Sequence, residues 1–294
     1  MNVRFMSVES LCRSMDIEKA FGNANLHIKN GKFELALMEV NSIVSGSPDD
    51  PVILIKSASL LKSIDLEERC QEILDMVVDC VTEDYEKKLA VAVALRGLGR
   101  YEDSLTILDM LDDNDNIFRQ KAKTALALKD ADTALEYISE MRELNTDDRI
   151  LLTEIQCARR DLKTAYEVAE KLSKEVKGYD TLVNLCSVLI RMDRNKDAIK
   201  LGRSHLKEDK KNADSLALAA YIMRINGKTP AAANFAHAAL KIDHTHIGAL
   251  ETMALCLIEK KKLLEAKMMA GVINENDPGN PAVIRILDAC RESL

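Results

Sequence analysis

Few residues in this sequence are placed to do chemistry. His244-Thr245-His246 follows Asp243, and two imidazoles two positions apart can join a metal site. No Cys or further His lies near them in sequence, so the segment reads as a solvated linker. Gly227-Lys228-Thr229 has the ending of a phosphate-binding loop. The glycine such a loop needs at its start is replaced by Ile222, and Leu216 to Ile225 reads as helix where a strand belongs. Ser, His and Asp occur without a G-x-S-x-G turn. The paired acids Asp49-Asp50, Asp112-Asp113 and Asp147-Asp148 fall at helix starts or turns, where carboxylates suit the positive helix end and lack the burial that tunes a catalytic acid. The 7 cysteines (Cys12, Cys70, Cys80, Cys157, Cys186, Cys256, Cys290) form no C-x-x-C pair and read as buried structural thiols in a reducing compartment. No catalytic, cofactor-binding or metal-ligating set is expected, and the chain reads as a non-enzyme.

Composition points to helices. Of 294 residues only 5 are Pro and 11 Gly, aromatics are 4%, and Trp is absent. A formal net charge of −7 argues against nucleic acid and anionic membrane as bulk partners. The first residues lack a long apolar stretch, so no secretory signal is expected. The longest apolar run, Leu89 to Leu95, ends at Arg96 and is too short to span a membrane. A cytoplasmic location is the expectation.

The elements that hold these residues repeat. Ala36, Cys70, Ser104, Ala134, Ala165, Ala198, Ala232 and Ala266 share one local phrase, and each reads as a mid-helix small residue. Their spacings run 34, 34, 30, 31, 33, 34 and 34. Twelve positions upstream of these anchors a second set recurs: Ala24, Ala58, Ala92, Ala122, Thr153, Cys186, Ala220 and Ala254, with Thr153 the largest. Four and seven positions downstream lie apolar residues such as Val40 and Ile43, or Leu74 and Val77, which is one face of a helix. Paired small residues let two helices approach closely. Pro48 and Pro278 close the first and last units, because Pro cannot continue a helix. Asn30-Gly31 and Asn226-Gly227 are flanked by helical period and read as turns within helix pairs.

On these residues the chain resembles the tetratricopeptide repeat family, whose helix–turn–helix period is 34 residues. The signature Trp is absent, and several copies lack Gly at the turn or Pro at the end. The resemblance covers about nine-tenths of the chain. It implies an all-α fold, a right-handed α-solenoid of antiparallel helix pairs, with eight units at 17–50, 51–84, 85–114, 115–145, 146–178, 179–212, 213–246 and 247–280. Residues 1–16 are an N-terminal cap, with Phe5, Val8 and Leu11 available to pack, or a disordered lead. Residues 281–294 form a capping helix.

The resemblance also implies that the first helix of each unit lines a concave groove. Carried onto this chain, the groove residues are Lys29, Lys56, Lys62, Arg96, Arg119, Lys123, Asn184, Arg191, Tyr221 and Arg224. Acids such as Glu154, Asp180, Asp214 and Glu251 lie mostly toward the helix starts or along one edge. The implied function is a protein-binding scaffold or adaptor that takes a peptide or protein partner, with an acidic segment read by the cations. Assembly and secretion-associated helpers have this style of chain. The alternative is a self-assembling structural subunit of a larger complex, or a homo-oligomer, using apolar stretches such as Leu264 to Met269.

Overall fold

The computed structural model describes residues 8–80, 84–209, 211–277 and 280–293. The packing expected of Phe5, Val8 and Leu11, and the stop at Pro278, concern residues or side chains outside this description. Seventeen helices and no strand occur among the described residues. They are α1 (Val8–Lys29), α2 (Phe33–Gly46), α3 (Pro51–Ser63), α4 (Glu67–Asp79), α5 (Tyr85–Gly97), α6 (Tyr101–Asp109), α7 (Asp115–Ala127), α8 (Ala131–Ser139), α9 (Thr146–Ala158), α10 (Leu162–Glu175), α11 (Tyr179–Arg191), α12 (Asn195–Glu208), α13 (Ala213–Ile225), α14 (Thr229–Leu240), α15 (Ile247–Glu259), α16 (Leu263–Asn276) and α17 (Pro281–Glu292). The first sixteen form eight helical hairpins. α1 reaches upstream of residue 17, to Val8.

One backbone device closes every hairpin. Gly31, Asp65, Gly99, Lys129, Arg160, Asp193, Gly227 and Lys261 all have positive φ, and each lies five residues before an anchor. The following N–H bonds a carbonyl five residues back: Leu66 to Leu61 at 3.1 Å, Asp130 to Ala125 at 3.0 Å, Lys262 to Leu257 at 3.0 Å, and likewise in the other five. This is the Schellman arrangement that satisfies the last carbonyls of the first helix. The anchor N–H then makes the first bond of the second helix, as in Ala134 to Asp130 at 3.1 Å. The anchors therefore sit in the first turn of the second helix, not at mid-helix as their flanking sequence suggests.

The anchors are at most 1% exposed, and so are the eight residues twelve positions upstream. Where an anchor has a donor it shows the contact directly. Ser104 Oγ donates to the Ala92 carbonyl at 2.7 Å, and Cys70 Sγ to that of Ala58 at 3.4 Å. Thr153, the largest of the upstream set, donates its hydroxyl to the Arg149 carbonyl at 2.9 Å and so buries no unmet donor. Val40, Ile43, Leu74, Val77, Leu108, Leu111, Ile138 and Met141 are buried, as the downstream spacing requires.

The chain divides into two compact units, one ending at Val91 and one beginning at Ala92, so the division falls within α5. In the first, α1 packs on α2, α2 on α3, and α3 on α4. In the second, each hairpin packs on the next, and the first helices also lie side by side: α7 on α9, α9 on α11, α11 on α13, α13 on α15, and α15 on α17. α17 closes the last hairpin with Ala282, Ile286 and Cys290. The thiols of Cys70, Cys157, Cys186, Cys256 and Cys290 are buried and Cys80 is half-buried.

A side chain in the left-handed region carries a steric penalty that glycine avoids, offset in part by glycine's greater entropy loss. Lys129→Gly and Arg160→Gly should each raise stability by about 0.5–1 kcal/mol, whereas Gly227→Ala should lower it by a similar amount. Urea titrations followed by circular dichroism check both signs, and destabilised Gly variants would refute the role given to this turn.

Candidate protein-binding surface

The first helices of the larger unit carry their polar residues in register. Counting eleven positions back from successive anchors gives Lys123, Glu154, Ser187 and Tyr221 on α7, α9, α11 and α13. Because neighbouring hairpins repeat one geometry, these side chains fall in a row. The Ser187 and Tyr221 hydroxyls meet across α11 and α13, a bond that favours the Tyr221 phenolate and so opposes the rise that burial causes. Arg96 Nη1 donates to Gln120 Oε1 at 2.7 Å across α5 and α7. Arg285 Nε donates to Glu251 Oε1 at 2.7 Å across α17 and α15, positions one repeat apart.

Glu154 is exposed to water, yet burial among surrounding protein is the largest influence on its carboxyl and raises its pKa. The charges of Lys123 and Arg191 from adjacent helices, and of Arg285 from the distant α17, oppose that shift. No ion pair joins Glu154 to a described residue. The Arg96 guanidinium is pushed down to about 10 by desolvation. The Lys123 ammonium is lowered by desolvation first, then by the charges of Arg96 and Arg119. Arg96, Lys123, Arg191, Arg224 and Arg285 thus outnumber Glu154 and Glu251 on this face. At the helix starts the sign reverses. Asp180 is raised by burial and then by Asp147 and Asp214, which occupy the same position in the flanking repeats.

The ten residues expected in the groove divide. Lys29 and Lys56 are exposed on α1 and α3 of the smaller unit, while Lys62 is 8% exposed and presents little charge to solvent. Arg119 is turned inward. Its Nε pairs with Asp148 Oδ1, its Nη2 donates to Oδ2 at 3.0 Å, and Asp148 is fully buried. Asp148 Oδ2 also accepts from the Asn145 N–H at 3.1 Å, completing a capping box on α9. Arg119 is therefore a brace between α7 and α9, not a cation open to a ligand. Asn184 is 6% exposed, and its Nδ2 finds no acceptor; nor does Nε of half-buried Arg224. Arg191 is exposed and Tyr221 half-buried.

His246, read from sequence as part of a solvated linker, is structural. Its Nδ1 accepts from the Ala249 N–H at 3.3 Å, capping α15, and its Nε2 meets Asp214 Oδ1 at 3.1 Å. The ring stands edge-on to Tyr179, with centroids 4.8 Å apart. Tyr179 in turn requires Gly248, since a Cβ there would fall 2.0 Å from its hydroxyl. Gly227 and Lys228 form the turn into α14 rather than a phosphate cradle. Among the described residues no three His, Cys, Asp or Glu side chains gather at metal-ligand distance. Burial pushes the Cys186 thiol up to about 12 and raises Cys157 and Cys256, which disfavours thiolate chemistry at neutral pH.

A family model described as anaphase-promoting complex, cyclosome, subunit 3 matches residues 191–272. A tetratricopeptide repeat protein from Parabacteroides merdae is 12% identical, with 83% of this chain aligned to 99% of that chain at a TM-score of 0.49. Yeast Tom70 is 13% identical over 89% of this chain and 61% of its own, with a TM-score of 0.43. The P58(IPK) TPR domain is 13% identical over 95% of this chain and 98% of its own, at 0.33. The chain matches no curated protein.

Removing Arg119 leaves the Asp148 carboxylate buried without its cation. Arg119→Ala should cost about 3 kcal/mol, measured by chemical denaturation. A loss under about 1 kcal/mol, the range of exposed pairs, would contradict the bracing role.

Proposed function

Because the chain is an array of tetratricopeptide-type helical hairpins, we propose that it is a non-catalytic scaffold that captures an acidic peptide segment on the first-helix face of its larger unit. The observation that carries this reading is the placement of Arg96 and Lys123, half-buried cations on α5 and α7 that repel each other and that no carboxylate among the described residues holds, whereas Arg119 beside them pairs with Asp148. A bound carboxylate between Arg96 and Lys123 relieves that repulsion, and in a partly desolvated site such charge-assisted bonds are strong. The unmet donors of Asn184 and Arg224 extend the same demand for acceptors onto α11 and α13. The acidic edge formed by Asp147, Asp180 and Asp214 repels an acidic segment from the helix starts and so fixes its lateral position. A rigid face held by cross-helix contacts lowers the ordering cost of capture.

The family model named for a subunit of a multi-subunit complex supports an assembly role of this kind. The buried free thiols favour a reducing compartment such as the cytoplasm, and no described helix is long and apolar enough to cross a membrane. A second reading, self-association, rests on Leu264 and Met268, one turn apart on α16 and about half exposed (51% and 48%). Light scattering across a dilution series tests it, and a mass that stays monomeric at every concentration removes it.

Fluorescence polarisation with a labelled oligo-glutamate peptide tests the main reading. Arg96→Glu, Lys123→Glu and Arg191→Glu combined should weaken binding at least about tenfold, and added salt should weaken the wild type. Equal affinity in the triple variant would overturn it.

A further inference from the structure

α12 departs from the other second helices in two independent ways. The first is a missing side chain. The position four residues after the anchor is filled by Val40, Leu74, Leu108, Ile138, Ala169, Ala236 and Ala270 in the other hairpins, but by Gly202 in α12. Ile222 of α13 moves into the gap, its Cδ1 lying 2.3 Å from where a Cβ would stand. A narrow apolar cleft remains beside it, between α12, α13 and α14, lined by Ile199, Leu206, Met223 and Phe235 with Arg203 at the rim. The second is charge. Lys196, Lys200, Arg203 and Lys207 are spaced i, i+4, i+7, i+11, so they form one ridge, and all four are exposed. None makes an ion pair with a described residue. On α10, by contrast, Lys171 and Lys174 are matched by Glu175 and Glu170. The ridge borders an open depression that includes Ile199 and Ser204 and shares Ile199 and Arg203 with the apolar cleft. Like charges in this spacing oppose helix formation, and the chain as a whole is acidic, so a local ridge of this kind calls for an anionic neighbour.

We propose that the outer face of α12 is a second docking surface, distinct from the first-helix face, for an extended acidic peptide segment that also carries an aliphatic or aromatic residue. Charge complementarity selects the acidic partner. The geometry suits the extended form: the pairs Lys196–Lys200 and Arg203–Lys207 are each about 6 Å apart along the axis, close to the about 6.6 Å between alternate residues of an extended chain. Ile199, in the open depression beside the ridge, gives the hydrophobic side chain an apolar surface to lie against. Ala198 and Gly202 are buried on the other side of α12, against Ile222 of α13, so the exposed ridge can be altered without touching the core.

The test uses a labelled oligo-glutamate peptide with two adjacent Leu at its centre, about ten residues long so that it spans the ridge and one Leu faces α12. The host is the full chain already carrying Arg96→Glu, Lys123→Glu and Arg191→Glu, which removes the first-helix face from the reading. Binding should persist in this background. Adding Lys196→Glu, Lys200→Glu, Arg203→Glu and Lys207→Glu should then weaken it at least about tenfold, with an unchanged helical circular dichroism spectrum. The milder pair Lys200→Gln and Arg203→Gln should give an intermediate loss. The proposal is overturned by no binding in the background protein, by binding that the α12 substitutions leave unchanged, or by tighter binding of oligo-uridylate or phosphatidylserine vesicles than of the peptide. Failure of the first-helix face alone would show instead as wild-type affinity unchanged by the three groove substitutions.

Discussion

Two helices touch, in each of the eight hairpins, at a point where neither carries a side chain larger than Thr. Ser104 against the Ala92 carbonyl and Cys70 against that of Ala58 show how close the approach is, since a side-chain atom one bond beyond Cβ already reaches the opposite backbone. This contact lies one turn beyond the left-handed turn residue, and the anchor N–H opens the second helix. Turn, contact and helix start are thus locked in a fixed order. Within the larger unit each hairpin presents its first helix to the next in the same register, and the cross-helix rows there are the direct consequence. Charges far apart in sequence, such as those of Lys123 and Arg285, act on the Glu154 carboxyl because of that register.

The electrostatic character of this chain is local. A net charge of −7 belongs to the whole, while the first-helix face concentrates cations and the helix starts concentrate carboxylates. Arg119 and Lys121 show that several cations serve the fold. Arg119 holds buried Asp148, and Lys121 reaches Asp109 and Asp113 at 2.9 and 3.0 Å. Arg96 and Lys123 have no such carboxylate partner among the described residues, and that lack, not the repulsion they share with Arg119, separates them from the bracing set.

Much of this was legible from spacing. The interval between anchors, the small residues twelve positions upstream and the apolar stripe downstream all encode contacts inside one hairpin, where local geometry is nearly invariant. The turn was only half legible. Gly31, Gly99 and Gly227 announce positive φ by residue type, while Asp65, Lys129, Arg160, Asp193 and Lys261 adopt it because the hairpin contact and the Schellman bonds impose it. Contacts between hairpins were less legible. Arg119 and Asp148 are 29 residues apart, and each alone reads as an ordinary groove cation and an ordinary helix-start acid. His246 looked solvated because its partners, Tyr179 and Asp214, come from other hairpins. Arg285 lies in the capping helix, and its position one repeat after Glu251 is the sequence signal that places it on the same face.

The most direct test is to enlarge one anchor. Ala165 is fully buried at the start of α10 and faces Thr153 of α9 across the hairpin contact. Hydrogen–deuterium exchange of Ala165→Leu should show lost protection centred on α9 and α10 and spreading to α7 and α11, while α15 to α17 keep theirs. Protection unchanged in α9 and α10 would mean that close helix approach at the anchor is not what holds the hairpins together.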